Sequence, residues 1–137
     1  LGAGLTGVET ALHLTQLGKK VTIIEMLGPE TVAKEALFLN RNYLLTQLAE
    51  LKIPVFTNTK IEAITDTGVH AIGKDFRGKD FPADSVVLAA GMKARKDKVD
   101  ELRRLIPETE VAVIGDCYKP RNIFYATQEG FNSVIEI

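Results

Sequence analysis

Apolar side chains recur every three or four positions over residues 7–17. This spacing predicts a helix with Val8 and Ala11 on its buried face. Gly18 follows the helix and can adopt the positive φ with which many helices end. Residues 21–25 are rich in β-branched side chains, which is typical of a buried strand. The first part of the chain is therefore predicted to be a helix followed by a strand.

A second helical pattern covers residues 30–51, where leucines recur along one face. Asn40 or Asn42 is expected to cap the second part of this helix. Pro54 stops it, because the residue before a proline is pushed out of the α region. Residues 55–57 then predict a short strand that completes a strand–helix–strand unit.

Short apolar runs separated by turn residues follow, which is typical of a β-meander. The meander is predicted to end in a buried strand at residues 85–89. Beyond a charged stretch, Asp97 is expected to cap a short helix over residues 97–105. Residues 111–116 predict another buried strand, and residues 122–137 predict a final helix with apolar positions available for packing.

This order of elements predicts an α/β fold with a largely parallel sheet and an added β-meander. The strand that should precede the first helix is represented by Leu1 alone. We therefore expect a Rossmann-like, three-layer fold of the kind that binds FAD or NAD(P), with its first strand largely missing.

Composition narrows the classes of function. Hydrophobic residues make up 45% of the 137 residues and charged residues 26%, as in ordinary globular domains. The net charge of −1 gives no basic excess that would favour nucleic acid or an anionic membrane. The sequence shows no signal peptide and no apolar run that could span a bilayer. The single cysteine excludes an internal disulfide and indicates a cytoplasmic location, and we expect no metal site.

Gly2, Gly4 and Gly7 form a G-x-G-x-x-G pattern at the start of the first predicted helix. In a dinucleotide-binding loop, the first glycine permits a tight turn and the second lets the backbone approach a pyrophosphate. The third lets the helix lie close to the strand, and the helix N-terminus supplies N–H donors for the anion. The pattern alone is weak, because glycines also occur in ordinary turns.

Glu25 strengthens the hypothesis, because it ends the next predicted strand, where the fingerprint has a carboxylate that binds ribose hydroxyls. Such a carboxylate would repel a 2′-phosphate, so the pattern favours NAD(H) over NADP(H). The alternative is a solvated residue at a strand end. Glu9 is also open to two interpretations, since it could favour the helix dipole or face the nicotinamide of a bound cofactor.

The glycine loop and two later motifs resemble those of a known family, and the C-terminal region resembles one branch of it. "GAGLTGVETA" resembles the second nucleotide-binding motif of flavoproteins with two dinucleotide domains. "FPADSVVLAAG" resembles the segment where their chain leaves the NAD domain, and "VAVIGDC" resembles the late FAD-domain strand that ends in Gly-Asp. The region from "GDCYKPRNIF" onward resembles NADH:flavin oxidoreductases akin to 2-enoate reductase, 2,4-dienoyl-CoA reductase and trimethylamine dehydrogenase, which belong to the pyridine nucleotide-disulfide oxidoreductase-like flavoproteins.

The resemblance implies a larger enzyme, of which this chain would be a fragment that is inactive by itself. An N-terminal barrel would carry FMN and a 4Fe–4S cluster, and a split FAD-type domain would follow it. Residues 1–92 would then be the inserted NAD(H)-binding domain, and residues 93–137 the connector with the closing strand and helix of the FAD-type domain. The expected partners are the dinucleotides, the barrel and the other FAD half-domain, with homodimerisation a further possibility. NADH would deliver hydride to flavin for reduction of an enoate or related substrate.

By position in the motifs, the glycine loop would hold the pyrophosphate of NADH and Glu25 its ribose. Ala89, Ala90 and Gly91 would lie at the domain crossing near the nucleotide, although the family often has Thr where Ala90 stands. Asp116 would bind the ribityl or phosphate part of a flavin dinucleotide. No side chain is expected to act as an acid or base. The predicted cofactor-binding residues are Gly2, Gly4, Leu5, Thr6, Gly7, Glu9, Glu25, Ala89, Ala90, Gly91 and Asp116.

Two alternatives remain open from the residues. An S-adenosylmethionine-dependent methyltransferase also joins a glycine loop to an acidic residue after the second strand, although the meander and the late Gly-Asp argue against it. A non-catalytic nucleotide-sensing module would use the same binding loop without moving a hydride.

Overall fold

The computed structural model describes residues 1–135 and divides the chain into two compact units. The first unit comprises Leu1–Gly91, and the second begins at Met92. The mixture of helices, a parallel strand pair and an antiparallel meander confirms the predicted α/β class.

The first unit starts with helix α1 (Leu5–Gln16) and strand β1 (Ile23–Ile24). Helix α2 (Phe38–Glu50) leads to strand β2 (Val55–Phe56), which pairs parallel with β1. These strands are shorter than predicted, but they occur in the predicted order. The helices bury one face each, and together with β1 and the adjoining loops they form the core of this unit. The buried residues of this core cluster are Ala3, Val8, Ala11, Leu12, Ile23, Val32, Ala33, Leu44, Leu48 and Ile53.

The meander comprises β3 (Lys60–Thr65), β4 (Gly68–Ile72) and β5 (Gly78–Pro82), which are antiparallel in the order β3-β4-β5. β4 is the central strand, and its Val69 and Ala71 are buried. The meander therefore agrees with the prediction from the spacing of turn residues.

The predicted helix over residues 30–51 is wrong in its first part. Pro29–Thr31 forms a single 3₁₀ turn, and α2 begins only at Phe38. The chain is irregular between them because Ala33 has a φ of +49° and donates its N–H to the carbonyl of Ala3 at 2.8 Å. The predicted caps are also wrong, since Leu37 precedes the helix while Asn40 and Asn42 lie within it.

The predicted buried strand at residues 85–89 is wrong, because this segment forms no strand ladder within residues 1–135. Its backbone bonds there are to Leu1, whose amino group donates to Val87 O and whose carbonyl accepts from Ala89 N at 2.7 Å. One paired residue does not form a strand ladder, because a ladder needs a partner at successive positions.

The second unit contains α3 (Lys96–Leu105), a 3₁₀ turn at Gly115–Cys117 and α4 (Ile123–Ile135). The predicted buried strand at residues 111–116 is absent, since residues 111–114 have no ladder partner among the described residues and are not buried. The predicted final helix is confirmed, and the part of it at residues 136–137 lies outside the described residues.

Asp97 is not the cap of α3, because it lies inside the first turn and Arg95 precedes the helix. Arg95 donates two hydrogen bonds of 3.2 Å to Asp97, and these hold the pKa of the Asp97 carboxyl below its ordinary value. Within residues 1–135, no helix combines the length and the apolar character needed to cross a membrane.

Candidate functional site

The glycine loop of the first unit is held between β1 and the extended segment that ends at Gly91. Gly2 donates its N–H to Ile24 O at 2.8 Å and has a φ of +99°, which favours glycine. A Cβ at Gly2 would lie 2.4 Å from the carbonyl oxygen of Ala89. The position therefore requires glycine for both conformation and space.

Gly7 brings α1 against the glycine loop. A Cβ at this residue would lie 2.1 Å from the carbonyl oxygen of Gly2, so any side chain here would force the helix and the loop apart. At Gly4, by contrast, the nearest atoms to an added Cβ are the Glu35 carboxylate oxygens at 3.7 and 3.9 Å. Packing against backbone therefore explains Gly7, whereas the neighbour at Gly4 is the end of an exposed side chain that can move.

The Glu25 side chain is anchored beside this loop. Its Oε2 accepts a hydrogen bond of 2.7 Å from Ala3 N, and its Oε1 accepts one of 2.8 Å from Leu27 N. The backbone N–H of Glu25 donates to Phe56 O at 2.8 Å, which ties the residue to β2. Glu25 is half-buried, so it is not the freely solvated strand-end residue of the alternative interpretation.

The other predicted residues of the first unit surround this loop or follow it. Leu5 and Thr6 form the start of α1, while Glu9 is exposed on the same helix. Ala89 lies beside the loop, since its N–H donates to Leu1 O at 2.7 Å and its Cβ lies 3.3 Å from the position that a Gly7 Cβ would take. Ala90 and Gly91 are exposed, and Gly91 has a φ of +90°. The structure thus brings Gly2, Gly7, Glu25 and Ala89 together.

Glu35 is a functional candidate that the sequence analysis missed. Its Oε2 lies 3.3 Å from Leu5 N, at the N-terminus of α1. Gly4 precedes this helix and has no side chain that could accept a hydrogen bond, so an acceptor from another segment was to be expected. The sequence does not indicate which acidic residue it is, because the reach depends on the irregular chain after β1.

A cleft of about 400 Å³ lies next to the carboxyl ends of β1 and β2. It includes Met26, which directly follows Glu25, and Asn58, whose N–H donates to Leu27 O at 2.8 Å. The other lining residues come from the meander: Lys60, Glu62, Ile72, Gly73, Lys74 and Phe76. The cleft combines apolar faces with two lysines, of which Lys60 is paired with Glu62 at 2.9 Å.

In the second unit, Asp116 is exposed within the 3₁₀ turn that Gly115 begins. Gly115 has a φ of +59° and donates its N–H to Glu129 Oε2 at 2.7 Å. Glu129 also forms an ion pair with Arg121, whose guanidinium lies 4.3 Å from the centre of the Tyr125 ring. α4 therefore holds the Gly-Asp turn, and the Asp116 carboxylate faces solvent.

The α/β fold, with a glycine loop at the N-terminus of its first helix, is of the Rossmann-like type. Residues 1–130 match the pyridine nucleotide-disulphide oxidoreductase family, and the chain belongs to this family. The family match excludes the methyltransferase alternative and confirms the resemblance that the three motifs indicated.

Two relatives similar in sequence to this chain are oxidoreductases. The chain is 34% identical to an NADH oxidase from Thermoanaerobacter brockii, over 100% of the chain and 21% of that protein. It is 37% identical to a cinnamate reductase from Clostridium sporogenes, over 92% of the chain and 19% of that protein. The chain thus spans about a fifth of the length of these relatives.

Solved structures agree with the fold. A 2-naphthoyl-CoA reductase in complex with 2-naphthoyl-CoA superposes with a TM-score of 0.83 at 27% identity, over 99% of the chain and 20% of that protein. Histamine dehydrogenase from Rhizobium sp. 4-9 superposes with a TM-score of 0.83, over 98% of the chain and 22% of that protein. Its identity of 18% shows the likeness of fold only.

Proposed function

We propose that this chain binds NADH and is the nucleotide-binding part of an NADH-dependent flavoprotein oxidoreductase. The position of Glu25 carries the proposal, because its carboxylate is fixed by Ala3 N and Leu27 N beside the glycine loop. Each carboxylate oxygen can accept more than one hydrogen bond, so Glu25 can keep both amides and still accept the ribose hydroxyls. Its charge would repel a 2′-phosphate, which supports NADH over NADPH.

The other parts of NADH fit features around Glu25. The first turn of α1 presents N–H donors to an anion, and beside Gly4 an added Cβ would meet the exposed Glu35 carboxylate, so a pyrophosphate could approach the backbone once that side chain turns away. The cleft that contains Met26 and Phe76 lies on the Glu25 side of the loop and supplies apolar faces for an adenine. Because Lys60 and Lys74 also line this cleft, NADPH is the comparison ligand for any test.

A flavin role is proposed for the second unit. Asp116 is an exposed carboxylate on a turn that needs the positive φ of Gly115, which fits an acceptor for the hydroxyls of a flavin's ribityl chain. Reduced nicotinamide would supply a hydride to the flavin, and this chemistry belongs to the cofactors. The chain's residues would bind and orient the two dinucleotides, and none of them needs to act as an acid or base.

The larger reaction is proposed to be reduction of an enoate or a related unsaturated substrate. The names of the cinnamate reductase and of the 2-naphthoyl-CoA reductase support this substrate class. FMN and a 4Fe–4S cluster would then belong to other parts of the enzyme, as would the substrate site.

Calorimetric titration of the chain with NADH and NADPH tests the proposal. We expect NADH to bind weakly and more tightly than NADPH. Glu25→Gln should lower the affinity for NADH about tenfold or more, because hydrogen bonds to a charged acceptor contribute about 1.5–3 kcal/mol. Glu50→Gln is the matched control, since Glu50 is exposed at the end of α2.

Circular dichroism should show that both variants keep their helices. The proposal is contradicted if the wild-type chain binds neither nucleotide, or if Glu25→Gln binds NADH as well as Glu50→Gln does. Preference for NADPH would contradict the assignment of NADH and would indicate that Lys60 and Lys74 bind the 2′-phosphate.

A further inference from the structure

The first turn of α1 has a carboxylate beside it that comes from a distant part of the chain. Glu35 Oε2 lies 3.3 Å from Leu5 N, and both carboxylate oxygens lie within 3.9 Å of the position that a Cβ on Gly4 would take. Residues 5–8 contain no acidic side chain of their own. Glu35 therefore brings a negative charge to the space in which the proposed function places the pyrophosphate.

The backbone that carries Glu35 is well anchored. Ala33 donates its N–H to Ala3 O at 2.8 Å, which ties this segment directly to the glycine loop. Arg41 donates from Nε to Val32 O at 2.9 Å and from its guanidinium to Glu30 O at 3.1 Å. The backbone of Glu35 is thus held near α1, whether or not its side chain contacts Leu5.

The side chain itself is held weakly. Glu35 is exposed, and its hydrogen bond of 3.3 Å to Leu5 N is long for an N–H···O contact. A helix N-terminus favours any anion, so a carboxylate and a phosphate compete for the same donors. Two negative charges a few ångströms apart also repel each other.

We propose that Glu35 sets the affinity of the glycine loop for dinucleotides by competing with the pyrophosphate for Leu5 N–H. This inference rests on the proposed function and adds a residue that determines affinity at the same site. Glu35 must turn away from Leu5 when the pyrophosphate binds, and its exposed position allows that movement. Its charge still opposes the ligand afterwards, because the anchored backbone keeps it nearby.

Titration of NADH into Glu35→Gln and Glu35→Ala variants tests the inference. Glu35→Gln removes the charge but keeps an acceptor, while Glu35→Ala removes both. Both variants should bind NADH about two- to fivefold more tightly than the wild-type chain at low salt, as expected for one exposed charge at a helix terminus. As the salt concentration is raised, the affinity of the wild-type chain for NADH should differ less from that of the variants, because salt screens exposed charges.

Glu30→Gln is the matched control, since Glu30 is an exposed carboxylate of the same segment whose backbone carbonyl, and not its side chain, accepts from Arg41. It should leave the affinity for NADH unchanged. The amide resonance of Leu5 gives a second readout: it should shift in both Glu35 variants before any ligand is added and should stay in place in Glu30→Gln.

Four outcomes overturn the inference. Unchanged affinity in both Glu35 variants rejects it and leaves the proposed function intact. Weaker binding in variants that keep their helices shows that Glu35 supports the loop. An equal gain in Glu30→Gln shows a general effect of charge. Failure of every chain to bind NADH rejects the proposed function, and the inference with it.

Discussion

At the scale of single residues, the two helical glycines Gly7 and Gly130 have opposite surroundings. A Cβ at Gly7 would lie 2.1 Å from a backbone oxygen of the glycine loop, where little movement is available. A Cβ at Gly130 would lie 3.6 Å from the end of the Ile114 side chain, which is an ordinary contact. The glycine at position 7 is therefore required by packing, and that at position 130 is not.

Gly7→Ala should lower the free energy of unfolding by about 1–3 kcal/mol, because the extra carbon forces the helix and loop apart. Gly130→Ala should be neutral or raise it by up to about 1 kcal/mol, since alanine is the better helix former. Urea denaturation followed by circular dichroism measures both. Equal stability of the two variants would show that α1 can move away from the loop without cost.

At the scale of elements, α2 packs on the core by a narrow stripe. The leucines predicted to form this stripe are Leu37, Leu44, Leu48 and Leu51. Leu44 and Leu48 are buried, whereas Leu37 and Leu51 are exposed, so the prediction is correct at the two central positions only. Leu37 is exposed because the irregular chain before Phe38 turns it away from the core. Hydrogen bonds from the Arg41 side chain to the backbone carbonyls of Val32 and Glu30 hold the irregular segment in place.

Leu48→Ala should destabilise the first unit by about 2–4 kcal/mol, because it leaves a cavity at a position that is 5% exposed. Leu39→Ala lies in the same helix at a position that is 77% exposed and should change stability by less than about 0.5 kcal/mol. Thermal denaturation of the two variants beside the wild-type chain separates the predictions. A loss in Leu39→Ala as large as in Leu48→Ala would contradict the described core.

At the scale of the whole molecule, the two units differ in how they are built. The first has a core of buried residues, whereas none of the described residues of α3 or α4 is buried. Ile123, Phe131 and Val134 of α4 are exposed, so these three predicted packing positions are not covered by the described residues of the second unit. Homodimerisation and contact with a separate half-domain both stay predictions.

The purified chain should be colourless. Asp116 is the predicted flavin contact in the second unit, and within the described residues its turn is supported by Glu129 of α4 and by Arg121, whose N–H donates to Asp116 Oδ1 at 3.4 Å. Absorption spectra before and after gel filtration with added FAD measure any retained flavin. Stoichiometric yellow flavin on the pure chain would contradict the view that the flavin site is shared with residues elsewhere in the enzyme.

Local sequence patterns were sufficient to predict α1, the meander and the order of β1 and β2. They also predicted that Glu25 lies beside the glycine loop. They failed at residues 85–89 and 111–116, because a β-branched run becomes a strand only where a neighbour offers a ladder. They also failed at Glu35. Its position depends on the left-handed conformation of Ala33 and on the bonds of Arg41, which no short-range pattern describes.

The double anchoring of Glu25 has a consequence for cofactor engineering. Specificity is commonly redesigned by exchanging the acidic residue that discriminates between the two nicotinamide dinucleotides. Here the same carboxylate supports Ala3 N, and the carbonyl of Ala3 in turn receives Ala33 N. An exchange at position 25 would therefore change loop shape together with ligand preference, so a redesign must first provide Ala3 with another acceptor.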